Sequence, residues 1–177
     1  MKYAELYYEY KSYLNQYTEW KKELSTLPKG NLLKKYISNK EYNYLQYTSF
    51  GKRKTEYIKK AELDEMQKKI SRREELQGKI EHIITELTRL ERAVFILDPK
   101  MGRTFIILKQ CADMDALPLY KRADALSFSN AMTALEGLEA RNETMQNLES
   151  WVNGTVSFAD IYIPILKMYH VLEENHV

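Results

Sequence analysis

The segment from residue 29 to residue 60 interleaves basic and aromatic side chains. It holds nine lysines and arginines against two glutamates, a local charge of +7. Basic side chains neutralise phosphates, and flat aromatic rings stack on nucleic-acid bases. The residues expected to bind nucleic acid are Lys34, Lys35, Tyr42, Tyr44, Lys52, Arg53 and Lys54. The structural alternative is that the tyrosines pack across the strands of a half-buried sheet while the lysines protect its edges.

The second candidate lies in an acidic tail. Residues 123–177 carry two basic side chains against eight acidic ones, a local charge of −6. The segment 128–139 reads Phe-Ser-Asn-Ala-Met-Thr-Ala-Leu-Glu-Gly-Leu-Glu, and Gly137 stands where a helix often ends on a left-handed residue. The structural alternative is that Ala131, Ala134, Leu135 and Leu138 form a core stripe and Glu136 is only an exposed side chain at the helix end.

This segment, together with Asn142-Glu143, the turn at 152–157 and Lys167-x-Tyr169, resembles the VbhA-like antitoxins that silence Fic toxins. The resemblance begins at about residue 125. It implies that Glu136 enters the toxin's nucleotide site and pairs with the arginine that holds the γ-phosphate of ATP, so that AMP transfer stops. Thr133, Glu136 and Gly137 would form the inhibitory motif, and Phe128, Asn130, Leu135 and Leu138 would bind the partner. The chain departs from the family at Met132, where the family has a hydroxyl residue four positions before the glutamate.

The spacing of the short segments around residues 30–60 is similar to that of the three-stranded arm domains that tyrosine recombinases lay into DNA. This second resemblance implies that the basic, tyrosine-rich sheet binds DNA. Strands are expected at 32–37, 41–48 and 53–58, separated by turn-forming residues, with Tyr42 and Tyr44 on one face and Leu45 and Tyr47 on the other.

Motifs of common catalytic sites are missing from the sequence. No Walker-type, G-x-G-x-x-G, G-x-S-x-G or H-E-x-x-H pattern occurs, and the only cysteine is Cys111. We therefore expect no enzyme, no cofactor and no metal site. The absence of long apolar runs predicts no membrane span, and the single cysteine fits a reducing cytoplasm.

Helical periodicity flanks the expected strands. Apolar and tyrosine residues follow a 4-3 spacing over residues 3–24, and a heptad pattern runs through Leu76, Ile80, Ile83, Leu87, Leu90, Val94 and Leu97. We expect the first helix to pack antiparallel against the heptad helix. The alternative is a homodimer through the seam at 76–97.

Shorter helices are expected after Pro99. They include one from about residue 104, one capped by the Ser-Phe-Ser-Asn segment at 127–130, one after Asn142 and one opened by a capping box at Ser157, in which Pro164 must kink the helix or move its start.

The predicted fold class is mainly α with a small antiparallel β-sheet. Residues 1–100 are expected to form a helical hairpin with a three-stranded meander at its tip (about 31–58), and residues 101–177 a C-terminal helical lobe. The predicted function is an antitoxin-like inhibitor of a Fic-type toxin that also binds DNA through the sheet. The alternatives are a nucleic-acid-binding accessory protein of a mobile element and a coiled-coil adaptor.

Overall fold

The computed structural model describes residues 3–49, 51–137 and 141–169. The fold is mainly α with one three-stranded antiparallel sheet, as the sequence predicts. The elements are α1 (Ala4–Thr26), β1 (Asn31–Ile37), β2 (Lys40–Ser49), β3 (Lys52–Ile58), a 3-10 turn (Lys60–Glu62), α2 (Leu63–Leu97), α3 (Pro99–Asp115), α4 (Leu119–Leu135), α5 (Asn142–Val152) and α6 (Phe158–Met168). Among the described residues, no helix is both long enough and apolar enough to cross a bilayer.

The chain divides into two compact units. The helical unit comprises Met1–Ser25 and Ile80–Val177, and the sheet unit comprises Thr26–Lys79. This division differs from the boundary that the sequence suggested at residue 100, because α3 and α6 share one core with α1 and with the C-terminal part of α2.

The core of the helical unit forms around the two periodic stripes of the sequence. Four residues of α1 are buried on the expected 3-4 spacing, and so are the heptad residues of α2 up to Val94. Phe105 of α3 is fully buried, and its ring stacks on that of Tyr10 at 4.1 Å between centroids. The buried members are Tyr7, Tyr10, Leu14, Tyr17, Ile80, Ile83, Leu87, Leu90, Val94, Met101, Phe105, Leu108, Ala112 and Ile163.

The heptad seam is therefore used within one chain. Leu76, Leu87 and Val94 each have 0% of their surface exposed, and only Leu97 at the end of the seam is open. A homodimer through residues 76–97 stays a prediction, and it would have to compete with the packing of Leu87 and Val94 in the core of the helical unit. Of the seam residues, only Leu97 keeps a large exposed apolar surface, at 59%.

A cluster of polar side chains closes the same core near the end of α3. The hydroxyl of Tyr17 donates to Oδ1 of Asp113, and the ammonium of Lys21 lies 2.7 Å from the same oxygen. In the 4-3 spacing of apolar and tyrosine residues along α1, Lys21 occupies the one position that is neither apolar nor tyrosine. An ion pair thus takes the place of an apolar contact at that position.

The sheet unit is a meander with the order β1-β2-β3. The turn between β1 and β2 has two residues with positive φ, Ser38 at 49° and Asn39 at 64°, which suits the right-handed twist of a tight hairpin. Leu45 and Ile58 pack with Ile70 of α2 into a small core, and Leu32, Tyr47 and Met66 surround it. Gly30, at φ 116°, sits so close to β2 that a Cβ would lie 2.2 Å from the carbonyl oxygen of Gln46.

Several helix boundaries differ from the sequence predictions. Helix α3 begins at Pro99 rather than near residue 104, because the carboxylate of Asp98 accepts from the backbone N–H groups of Lys100 and Met101. Helix α4 begins at Leu119, so residues 127–130 lie inside it and do not cap it.

Serine and threonine are tolerated inside α4 because their hydroxyls can donate to the backbone carbonyl four residues earlier. The hydroxyl of Thr133 donates in this way to the carbonyl oxygen of Ser129 at 2.9 Å. The Ser157–Asp160 capping box is confirmed, and α6 keeps its start at Phe158 and continues past Pro164.

Candidate functional site

Helix α4 is anchored at its N-terminal end by a buried arginine. Arg122 is 5% exposed, and its guanidinium donates to the carbonyl oxygens of Leu117, Asp115 and Trp151. Its charge also lies 5.3 Å from the centre of the Trp151 ring. One side chain thus joins the loop after α3, the first turn of α4 and the end of α5.

The carboxylate of Asp115 extends the same anchor to α6. Its Oδ1 accepts from Nε1 of Trp151 at 3.0 Å and from the backbone N–H of Phe158 at 2.8 Å. The rings of Trp151 and Phe158 meet edge to face at 5.1 Å. Each charged group of the anchor is satisfied by neutral partners, which is how buried charges are tolerated.

Beyond this anchor, α4 exposes an apolar stripe. Phe128 is 69% exposed, Met132 44% and Leu135 81%. These three residues follow each other at steps of four and three, so they lie on one face of the helix. We call Phe128, Met132 and Leu135 the α4 stripe.

The structural alternative for this segment is contradicted in its core stripe, but it agrees with the structure at Glu136, which is an exposed side chain at the helix end. Ala131, Ala134 and Leu135 are all exposed, so they do not form a core stripe. Leu138, the fourth member of that alternative and a predicted partner-binding residue, lies outside the described residues. Exposed large apolar side chains grouped on one helix face are typical of interaction surfaces.

The carboxylate of Glu136 lies at the end of this stripe. Glu136 is the C-terminal capping residue of α4, is exposed, and its backbone N–H donates to the carbonyl oxygen of Met132 at 3.2 Å. Its side chain makes no hydrogen bond or ion pair with the described part of the chain. A negative charge at a helix C-terminus is repelled by the macrodipole, so a cation bound there relieves an unfavourable interaction.

The other predicted residues of this site divide between two faces. Gly137 follows at φ 71°, the left-handed value expected of a residue that ends a helix. Thr133 and Asn130 are half-buried on the inner side, away from Phe128 and Leu135. The hydroxyl of Thr133 bonds to α4 itself. The structure therefore joins Phe128, Leu135 and Glu136 into one surface, adds Met132 to it, and separates Asn130 and Thr133 from it.

The second set of predicted residues lies in the sheet, where the strand register divides it between two faces. Tyr44 pairs with Leu33 and Tyr57, Tyr42 with Lys35, and Thr48 with Arg53. Because paired residues share a face, Lys35, Tyr42, Tyr44 and Arg53 lie together. The side-chain contacts agree, since Tyr57 meets the rings of Tyr42 and Tyr44 at 6.2 and 5.8 Å. We call this side of the sheet the tyrosine face.

The remaining predicted cations lie on the opposite face. Lys34 pairs with Asn43, Lys54 with Tyr47 and Lys52 with Ser49, which places them on the side that packs on α2. The ammonium of Lys34 lies 3.1 Å from the carboxylate of Glu41, and this hydrogen bond raises the pKa of Lys34 and lowers that of Glu41. The seven predicted nucleic-acid residues thus do not form one surface.

Tyr57 and Lys40 belong to the tyrosine face but are not among the seven residues that the sequence predicts to bind nucleic acid. Tyr57 is 52% exposed and stands opposite Tyr44, and Lys40 stands opposite Ile37. The alternation of side chains along β3 would assign Tyr57 to the tyrosine face, but only once the pairing of β3 with β2 is known.

The described residues hold no group of three or more histidine, cysteine or acidic side chains arranged to bind a metal. Cys111 is buried, and burial, with a smaller effect of Asp115, raises the pKa of its thiol to about 12. At neutral pH it carries no thiolate that could act as a nucleophile.

Comparisons with models of protein families, with curated proteins and with solved structures find no match to this chain.

Proposed function

We propose that this chain is an antitoxin-like inhibitor that binds a Fic-type, AMP-transferring toxin through the C-terminal part of α4. The observation that carries the proposal is the exposed Glu136 carboxylate, which has no partner among the described residues and continues the α4 stripe. In this proposal the stripe supplies the apolar contact and Glu136 supplies the blocking charge.

The chemistry of the block follows from the likeness between carboxylate and phosphate. A guanidinium binds either group bidentately, through two parallel hydrogen bonds. If Glu136 occupies the arginine that should hold the γ-phosphate, ATP binds with its phosphates displaced from the attacking hydroxyl. Displaced phosphates prevent the in-line geometry that AMP transfer requires. The inhibitor then blocks the reaction without excluding the adenosine.

The electrostatics of α4 favour the same pairing. Glu136 stands beside the negative end of the helix macrodipole, and residues 123–177 carry a net charge of −6. Both features favour a cationic target such as a nucleotide-phosphate pocket. A cytoplasmic setting belongs to the same proposal, since ATP is the co-substrate of the toxin.

The test is co-expression with a Fic-type AMP-transferring protein, followed by purification of the complex and an assay of AMP transfer. Glu136→Gln is expected to keep the complex, because the α4 stripe is intact, and to restore AMP transfer. Leu135→Ser is expected to weaken the complex itself. Glu149→Gln, which also removes an exposed carboxylate, is the control and should leave inhibition unchanged.

Two results would overturn the proposal. One is a complex in which Glu136→Gln inhibits AMP transfer as well as the unaltered chain does. The other is that the Fic-type protein does not co-purify with the unaltered chain.

A further inference from the structure

The tyrosine face of the sheet combines three features on one open surface. It carries three cations (Lys35, Lys40 and Arg53) and three aromatic rings (Tyr42, Tyr44 and Tyr57). Both carboxylates of the strands, Glu41 and Glu56, lie on the other face, because Glu41 pairs with Tyr36 and Glu56 with Leu45. The charged side chains of the tyrosine face are therefore all cations, and the face also carries the apolar Leu33 and Ile37.

The rings are held in place by one another and by a neighbouring cation. Tyr57 meets Tyr44 edge to face, and the ammonium of Lys35 lies 4.9 Å from the centre of the Tyr44 ring. Tyr42 and Tyr44 are half-buried by these contacts, while Tyr57 remains 52% exposed. A ring fixed in this way loses little side-chain entropy when a flat ligand stacks on it.

The two faces have different roles in the described part of the sheet unit. The opposite face buries Leu45 and Ile58 against Ile70 and so supplies the core. On the tyrosine face, Lys35, Lys40, Arg53 and Tyr57 are all exposed. The structural alternative, in which the tyrosines pack across the strands, agrees with the contacts of Tyr57 with Tyr42 and Tyr44, but 52% of the Tyr57 side chain still remains exposed.

We propose that the tyrosine face binds single-stranded nucleic acid, with Tyr57 as a base-stacking platform and Lys35 and Arg53 on the phosphates. Charge complementarity selects a polyanion, and the exposed ring selects one with unpaired, flat bases. A duplex hides its bases from stacking, so the ring would contribute little to binding one.

The dimensions of the face suit a short stretch of strand. Tyr42, which stands opposite Lys35, and Thr48, which stands opposite Arg53, are six residues apart in β2, or about 20 Å. The rings of Tyr44 and Tyr57 lie between these two ends. A single strand crossing the face from Lys35 to Arg53 would therefore pass over the aromatic cluster.

The experiment measures binding of the full-length chain to a fluorescein-labelled oligothymidylate of about 12 nucleotides, a length that single-strand-binding folds cover. The double variant Lys35→Ala/Arg53→Ala is compared with Lys52→Ala/Lys54→Ala, which removes the same charge from the opposite face. The first is expected to weaken binding about tenfold and to reduce the salt slope by about 1.4, because two phosphate contacts are lost. The second is expected to change binding less than about twofold, which distinguishes a site from general attraction to the net charge.

The aromatic contribution has its own matched pair. Tyr57→Leu is expected to weaken binding about tenfold, while Tyr57→Phe keeps the ring and should bind as the unaltered chain does. Tyr36→Leu is the control, since Tyr36 is 73% exposed but lies on the opposite face.

Three results would overturn the proposal: equal losses in the two double variants, a duplex of the same sequence bound more tightly than the single strand, or polyglutamate competing as well as unlabelled oligothymidylate. The last would indicate an acidic protein as the partner. None of these variants touches α4, and Glu136→Gln should leave nucleic-acid binding unchanged. This proposal and the inhibitor proposal can therefore fail separately.

Discussion

Nη1 of Arg122 donates to the backbone carbonyl of Trp151 at 2.8 Å, which ties the first turn of α4 to the last turn of α5 across 29 positions of the chain. The same guanidinium also donates to the carbonyl oxygens of Leu117 and Asp115. Its removal would therefore leave three carbonyl oxygens without these donors. Arg122 therefore holds the N-terminal end of the helix that carries the α4 stripe.

Arg122→Leu is expected to lower the free energy of unfolding by about 3 kcal/mol, because buried carbonyls lose charged donors. Urea unfolding of the full-length chain measures the loss. Lys121→Leu changes an exposed cation one position earlier and should shift stability by less than about 0.5 kcal/mol. Equal effects of the two substitutions would contradict the role of Arg122 as an anchor.

The ion pair between Lys21 and Asp113 predicts a loss of stability in acid. Burial opposes ionisation of Asp113, but hydrogen bonds from Lys21 and Tyr17 outweigh it and lower the pKa of Asp113 below its ordinary value of 3.8. A carboxyl whose pKa is lower in the folded chain contributes stability above its ordinary pKa, and this contribution disappears as the pH falls through the folded value.

Asp113→Asn should therefore cost about 1 kcal/mol at pH 7, a small value because both side chains are more than a third exposed. The difference from the unaltered chain should shrink as the pH is lowered below about 4. Urea unfolding at a series of pH values measures it, and a difference that is constant from pH 7 to pH 3 would show that the pair does not titrate with folding.

Two glycines with positive φ are expected to respond differently to alanine. At Gly137 a Cβ meets none of the described residues within 4 Å, so Gly137→Ala is expected to cost the left-handed backbone, about 1 kcal/mol. At Gly30 a Cβ would collide with the carbonyl of Gln46, so Gly30→Ala should cost more than about 3 kcal/mol. Thermal unfolding of both variants measures the two losses of stability. A larger loss for Gly137→Ala than for Gly30→Ala would contradict the packing of Gly30 against β2.

The buried seam predicts that α2 stabilises one chain rather than a pair. Leu87→Ala should lower the free energy of unfolding by about 3 kcal/mol, because it leaves a cavity beside α1 and α3. Leu135→Ala removes a leucine that is 81% exposed and should cost less than about 0.5 kcal/mol. Unfolding midpoints that rise with the concentration of the unaltered chain would instead indicate association through the seam.

Much of the fold could be predicted because its signals are local. The stripe of α1, the three strands and the left-handed Gly137 depend on spacing and on turn-forming residues within a few positions. The start of α4 was missed because it depends on Arg122, whose partners include Trp151 far along the chain. Likewise, the packing of Phe105 on Tyr10 joins residues 95 positions apart, which periodicity does not reveal.

The candidate sites were predicted less completely than the elements that carry them. A core stripe and an interaction stripe have the same helical period, so only the structure could show that Leu135 is exposed. In the sheet, alternation predicted the side of Tyr42 and Tyr44 correctly. It did not separate Lys34, Lys52 and Lys54 from Lys35 and Arg53, because their sides depend on the register between strands.

Cys111 gives this protein a built-in probe of its own opening. It is the only thiol in the chain, and it lies on α3 with 1% of its surface exposed. A thiol-reactive dye can modify it only in molecules whose helical unit has transiently opened. The labelling rate, followed with and without a bound partner, would report how far that partner suppresses opening, with no engineered label required.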